Sequence, residues 1–143
     1  SDKALWEKVG QLRIHMNGCP NSCAQHWIAD IGLRGMRKEG PTGSEEGFTI
    51  CVGGGLSGPG YIAQAVCDVP ATEVVPTVRK LLEIYVAQRI GPQETFGVFA
   101  RRLGGRRLAD LIGVVPAPPE PVNERNLRLQ RTFDDVINET SPW

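Results

Sequence analysis

Two cysteines, Cys19 and Cys23, stand with three residues between them in the run Asn17-Gly18-Cys19-Pro20-Asn21-Ser22-Cys23. On a helix, residues four apart lie on the same face. Proline suits the first position of a helix, where no N–H is needed, so Pro20 predicts a short helix here. Both sulfurs then point at one object. The N–H groups at a helix start favour thiolates, and Gly18 lets backbone approach closely. The chemistry open to such a pair is soft-metal ligation. A zinc knuckle normally matches one pair with a second. The other two cysteines, Cys51 and Cys67, sit singly in apolar segments, where cysteine packs as a small hydrophobe. On spacing alone, Cys19 and Cys23 are either a metal-facing pair or two more buried thiols.

Several elements must hold this run in place. Residues 12–16 alternate apolar and polar, the period of a half-buried strand, and Asn17-Gly18 breaks it. Residues 28–35 alternate again and predict a second strand. A polar connection over 38–46 leads to a third strand at 48–52, antiparallel to the second. Gly53-Gly54-Gly55 ends it. A fourth strand is expected over 61–69. Residues 1–10 read as a short helical lead-in. A longer helix opens at Ala71-Thr72-Glu73 and runs to about Arg89, with Val74, Val78, Leu81, Leu82 and Tyr85 in one stripe. Two more helices follow, over 94–103 and 106–112. Four prolines in residues 115–122 predict an extended linker. Residues 123–138, with Leu127, Leu129, Phe133, Val136 and Ile137, have the pattern of a further helix. The order predicts an α+β fold: a mainly antiparallel sheet of about four strands with C-terminal helices. The expected division is a domain over 1–113 and a Pro-rich linker with a charged tail over 114–143.

Composition narrows the function. The chain has 143 residues, one domain's worth, with 16 basic and 16 acidic side chains. Zero net charge removes the simplest case for nucleic acid. The longest uncharged run, residues 47–67, is broken by glycines and a proline and predicts no membrane span. No charged-apolar-small pattern opens the chain, so no signal peptide is visible. Four cysteines are too few for a disulfide scaffold of this length and fit thiols or a metal site in a reducing, cytoplasmic setting.

The stretch from Arg13 through Gln25, followed by Ile28-Ala29-Asp30-Ile31-Gly32-Leu33-Arg34-Gly35, closely resembles the sirohaem/[4Fe–4S] nitrite and sulfite reductase family. In that family a Gly-Cys-Pro-Asn-x-Cys segment supplies two cluster ligands, and an Ala-Asp-Ile-Gly strand follows it. The strand running into Gly53-Gly54, the helix over 73–89 and the Glu94-Thr95-Phe96-Gly97-Val98-Phe99 segment with Arg102 and Gly104 are similar too. The resemblance covers residues 12–112.

It implies that Cys19 and Cys23 each bind one iron of a [4Fe–4S] cluster. Cys23 would also bridge to the sirohaem iron as its axial thiolate. Asn21 would hydrogen-bond a cluster or cysteine sulfur, and the turn at Gly53 and Gly54 would bring backbone close to the tetrapyrrole. The implied activity is assimilatory six-electron reduction of nitrite to ammonia, or of sulfite to sulfide, with ferredoxin or another electron donor. The nitrite branch is the nearer match to Pro-Asn-Ser-Cys running into Ala-Asp-Ile-Gly. The family has a further Cys-x5-Cys pair upstream, and this chain has none. A [4Fe–4S] cluster takes four ligands. The expectation is therefore a C-terminal piece whose partner is the missing N-terminal part of the same chain. Alone it should hold no intact cofactor and be inactive.

A reading from another class stays open, namely a small zinc- or thiol-binding interaction module using Cys19, Cys23, Cys51 and Cys67 together. A sirohaem-type relative with different chemistry, such as a corrin-pathway oxygenase, shares the signature. His15 and His26 read as ordinary surface or interface histidines. The glycine-rich run 53–60 lacks the Gly-Lys-Ser/Thr ending of a phosphate loop. Arg101-Arg102 and Arg106-Arg107 read mainly as solvated helix faces.

Overall fold

The computed structural model describes residues 2–18, 26–41, 43–56 and 60–118. Its elements are α1 (Asp2–Val9), β1 (Ile14–Asn17), β2 (Ile31–Gly40), β3 (Gly43–Val52), β4 (Gln64–Pro70), α2 (Val74–Gln88), α3 (Phe96–Leu103) and α4 (Gly105–Ile112). Short 3-10 turns at His26–Ile28 and Ala71–Glu73 precede β2 and α2. The sheet order is β1-β2-β3-β4.

Alternation decides which side of the sheet is the core. Ile31 and Leu33 on β2, Ile50 and Val52 on β3, and Cys67 and Val69 on β4 face α2, α3 and α4. Leu81, Leu82, Tyr85, Phe99 and Leu108 meet them from the helices, each at most 2% exposed. Tyr85 lies 5.5 Å from Phe96 and 5.4 Å from Phe99, ring centre to ring centre. Its hydroxyl donates to the Glu94 carbonyl, so its polar end is satisfied. Thr95 caps α3 by accepting from the Val98 N–H.

The four strands and the C-terminal helices match expectation, but the sheet is mixed. β1 runs parallel to β2, from Ile14 beside Ile31 to Asn17 beside Arg34, and the other two pairings are antiparallel. The polar connection expected over 38–46 is largely strand instead. β2 and β3 pair until Gly40 meets Gly43, leaving two residues in the turn. Such a short turn closes a ladder directly, and the opposite charges of Arg37 and Glu46 face each other across it. The fourth strand starts at Gln64, because Tyr61 is taken by a bridge to Gly55.

Beyond α4 the chain runs extended along β4, where the Ala117 N–H donates to the Val66 carbonyl at 2.9 Å. Pro116 and Pro118 flank it at the alternate positions, whose N–H groups would face away from the sheet. Prolines there block further pairing on that edge. The expected helix at 123–138 lies outside the described residues. No described helix is long and apolar enough to cross a membrane.

Candidate functional site: the connection between two parallel strands

Parallel neighbours cannot be joined by a hairpin. They need a crossover of a dozen or more residues that passes over one face of the sheet. Residues 18–30 are that crossover, and Cys19, Asn21 and Cys23 belong to it in sequence. These three residues lie outside the described part. Its return leg, residues 26–30, is described and lies on the face opposite the helices.

Gly32 explains the closeness of that leg. With Ile31 and Leu33 turned to the core, a Cβ on Gly32 would point at the turn. It would stand 2.8 Å from the carbonyl carbon of His26 and 2.9 Å from its Cβ. Gly54 does the same at the edge, where a Cβ would come within 2.8 Å of the Ala29 carbonyl oxygen. Three backbone bonds then fasten the leg. The Gly53 N–H donates to Asp30 at 3.0 Å, the Ala63 N–H to Trp27 at 2.8 Å and the Ile31 N–H to Arg13 at 3.1 Å. The Asp30 carboxylate accepts from the Arg13 N–H at 2.9 Å.

His26, read from sequence as an ordinary surface or interface histidine, is wholly buried. Its Nδ1 lies 3.2 Å from the Asn17 side-chain amide nitrogen, within hydrogen-bond distance, and Asn17 is itself 4% exposed. The imidazole lies tilted against Trp27 with ring centres 4.1 Å apart, and the Arg34 guanidinium lies 5.5 Å from the Trp27 ring centre. Sequence reasoning missed Asn17, His26 and Gly32 as a unit. The only signal was position: Asn17 and Gly32 fall on the same phase of two strands that pair.

Gly53 and Gly54, the other expected cofactor contacts, pack against this chain's own backbone and Arg101. Gly53 has φ +84° and its carbonyl accepts from Arg101 Nη1 at 2.9 Å. The guanidinium sits 3.8 Å from the Tyr61 ring centre, so Arg101 is not merely a solvated face. Gly54, Gly55, Tyr61 and Arg101 also line a cleft of about 740 Å³ with Arg13 and Asp30. Arg102 reaches back to Glu94 at 2.8 Å, which holds the Glu94 carboxyl below the usual carboxylate range.

The strand cysteines diverge. Cys67 pairs with Ile50 and joins the core beneath the helices. Cys51, the next residue after Ile50, faces the opposite side. Burial, and secondarily the charge of Asp68, push the Cys67 thiol up to about 11, so it stays protonated and is a poor metal ligand. Among the described residues no three His, Cys, Asp or Glu side chains cluster as metal ligands. A four-cysteine zinc site is therefore not supported.

Residues 10–115 match the model of the nitrite and sulphite reductase 4Fe-4S domain. The chain belongs to this family. An assimilatory ferredoxin-dependent nitrite reductase of Haloferax mediterranei is 39% identical over 88 residues, 61% of this chain and 15% of that protein. Sulfite reductase [ferredoxin] 2 of Mycolicibacterium paratuberculosis is 36% identical over 94 residues, covering 64% of this chain and 17% of that one. Among solved structures, the NirA protein of Mycobacterium tuberculosis superposes with a TM-score of 0.62 at 30% identity, over 69% of this chain and 18% of that chain. A dissimilatory sulfite reductase I shares the fold at TM-score 0.58 and 14% identity. The chain thus spans less than a fifth of the length of the Haloferax and Mycolicibacterium reductases and of the NirA protein.

The family's 4Fe-4S group can be tested against the residues present. Iron–sulfur clusters are held by four thiolates. Cys19 and Cys23 carry the donor type such a cluster takes, in a connection whose described ends make buried contacts. Cys67 is excluded by its place in the core.

Proposed function

We propose that this chain is the part of a sirohaem- and [4Fe–4S]-dependent assimilatory reductase that supplies two cluster thiolates, Cys19 and Cys23. Cys23 would be held in common with the sirohaem, and Asn21, between the two cysteines in sequence, would hydrogen-bond a cluster or cysteine sulfur. The reaction is the six-electron reduction of nitrite to ammonia, with sulfite to sulfide as the alternative that the sulfite reductase relatives bring. Ferredoxin is the donor named in both groups of relatives, and the setting is cytoplasmic.

The observation that carries this reading is the crossover. The two cysteines fall in the 13-residue connection between β1 and β2, whose return leg is clamped onto the sheet face opposite α2, α3 and α4. Bound here, a sirohaem and an iron–sulfur cluster would supply single electrons in succession for the reduction. This chain's residues hold the thiolates in place. Asn17, His26 and Gly32 fix the connection's ends, and Gly53 and Gly54 receive its return leg. Residues 1–113 form the site-bearing unit and 114–143 the linker and tail. The remaining two thiolates come from the N-terminal part of the same protein, and this chain by itself is inactive.

Iron analysis tests the ligand count. After anaerobic reconstitution with iron and sulfide, this chain is expected to retain no stable four-iron cluster. Four irons per chain with broad visible absorbance would overturn the shared-seat reading. In the full-length protein, Cys19→Ser and Cys23→Ser are each expected to remove the cluster absorbance.

A further inference from the structure

We infer that the open edge of β1, with the apolar groove beside it, is the surface on which another part of the same reductase docks as an extended strand. This rests on the reading that the chain is one part of a longer reductase, and it says where the rest attaches. The sheet has two edges, β1 and β4. The β4 edge is closed by the segment ending in Pro116-Ala117-Pro118, which bonds to Val66 and blocks further pairing. The β1 edge has no such guard. The Ile31 N–H donates to the Arg13 carbonyl. In a parallel ladder this turns the N–H and C=O groups of His15 toward β2 and those of Ile14 and Met16 away from it. Among the described residues no strand pairs with that side. β1 also carries neither proline nor lysine, the residues that ordinarily blunt an edge.

The side chains agree with the backbone. Ile14 and Met16 stand beside Ile31 and Leu33, so they face the helix side of the sheet. The helices stop short of covering them. Met16 is 55% exposed, and Trp6 on α1 and Val75 on α2 are 48% and 77% exposed. Leu5 and Trp6, Ile14 and Leu33, and Val75 and Val78 line a groove of about 260 Å³ there. A strand laid along β1 would bond to Ile14 and Met16 and set every second side chain over this groove. In recognition by an added strand, backbone bonds give affinity and the alternate side chains give selectivity. The occupant is therefore an extended segment with apolar residues at alternate positions. Two observations make the same protein its source. The chain spans 15%, 17% and 18% of the two reductases and the NirA protein compared above, so most of such a protein lies outside it. In sequence, β1 also leads directly into the connection that carries Cys19 and Cys23, so the part that brings the remaining thiolates approaches the sheet at this strand.

Hydrogen exchange resolved to single amides, in the full-length reductase and in this chain alone, tests the docking. In this chain the Ile14 and Met16 amides are expected to exchange as those of an open edge, while the His15 amide is protected by β2. In the full-length protein both are expected to slow by about tenfold or more, the effect of one added hydrogen bond each. Met16→Lys and Val75→Lys give a second readout. Each alters an exposed position of this chain and is expected to move its melting temperature by less than about 2 °C. In the full-length protein each would bury an unpaired charge and is expected to lower the melting temperature by about 5 °C or more. Where a full-length variant fails to fold while this chain carrying the same change folds, the interface is supported, and exchange in wild type decides it. Freely exchanging Ile14 and Met16 amides in the full-length protein, or equal effects of the lysine variants in both proteins, overturn the proposal. Protection that arises in this chain alone through concentration-dependent dimers, seen by sedimentation, makes the occupant a second copy and also overturns it. Fast amides in a full-length protein whose cluster depends on Cys19 and Cys23 refute the docking while the ligand reading stands. Slow amides in a protein whose cluster survives Cys19→Ser and Cys23→Ser do the reverse.

Discussion

The most exposed consequence of this architecture is the intolerance of Gly32. Replacing it with alanine adds one methyl group on the sheet face opposite the helices. That methyl would sit 2.8 Å from the His26 carbonyl carbon and 2.9 Å from its Cβ, and inside the van der Waals sphere of the carbonyl oxygen. The obstacle is backbone on both sides, so neither can swing away as a flexible side chain would. The turn at 26–30 must lift by about an ångström in a packed interior. Overpacking of this kind costs about 1–3 kcal/mol. Lifting the turn also strains the Ala63–Trp27, Gly53–Asp30 and Asn17–His26 bonds, worth about 1 kcal/mol net for each one lost. A total near 3 kcal/mol, at about 4 °C per kcal/mol for a domain of this size, lowers the melting temperature by about 12 °C. The assay is thermal unfolding followed by far-UV circular dichroism. Gly91→Ala is the control, since a Cβ there meets nothing within 4 Å. A Gly32→Ala protein that melts within about 2 °C of wild type would show that the turn does not rest on β2 as described, and the placement of the ligand connection would fall with it.

Arg101→Lys is expected to destabilise by about 1 kcal/mol despite keeping its charge, because an ammonium loses the planar stack on Tyr61 and the oriented bond to Gly53; urea unfolding reads it. Stability should also fall between about pH 9 and about pH 11, because the Cys67 thiol ionises near its ordinary 9.0 in the unfolded chain but near 11 when folded. Its contribution is complete below the lower value and lost as pH rises through the upper one. Cys67→Ala should flatten that part of the stability–pH profile, and an unchanged slope would place the effect elsewhere. At the acid end, Arg102 depresses the folded pKa of Glu94. That contribution is present above the ordinary carboxylate value and lost as pH falls through the lowered one, so Arg102→Met should weaken the acid-side fall in stability.

Local pattern carried much of the fold. Ile31-Gly32-Leu33 and Phe48-Thr49-Ile50 alternate because one face of each strand meets helices, and the stripe on α2 is equally plain. The direction of β1 was not legible. Four residues, Ile14–Asn17, alternate identically whether the strand runs parallel or antiparallel to its neighbour. Only the 13-residue distance to β2 separates the cases, because a hairpin would need far fewer. The hairpin beyond Met36 escaped notice because its residues are polar. It runs past the core, so cross-strand pairing, not burial, keeps it extended. His26 illustrates a different limit. Its chemistry admits a surface, a ligand or a core role, and what selects burial is the absence of a side chain six positions later, at Gly32.

The same absence joins fold to function. The return leg of the crossover, residues 26–30, lies close to the strands it joins. Close approach needs glycine beneath it, and Gly32 and Gly54 stand where a side chain would collide with residues 26–29. A connection whose return leg is bonded to the sheet has less chain freedom to lose when a ligand binds it. A long loop holding the same two cysteines would have to order itself around each ion, losing affinity to chain entropy. Gly54, which the sequence pattern assigns to cofactor approach, therefore acts a step earlier, because it lets the chain approach itself.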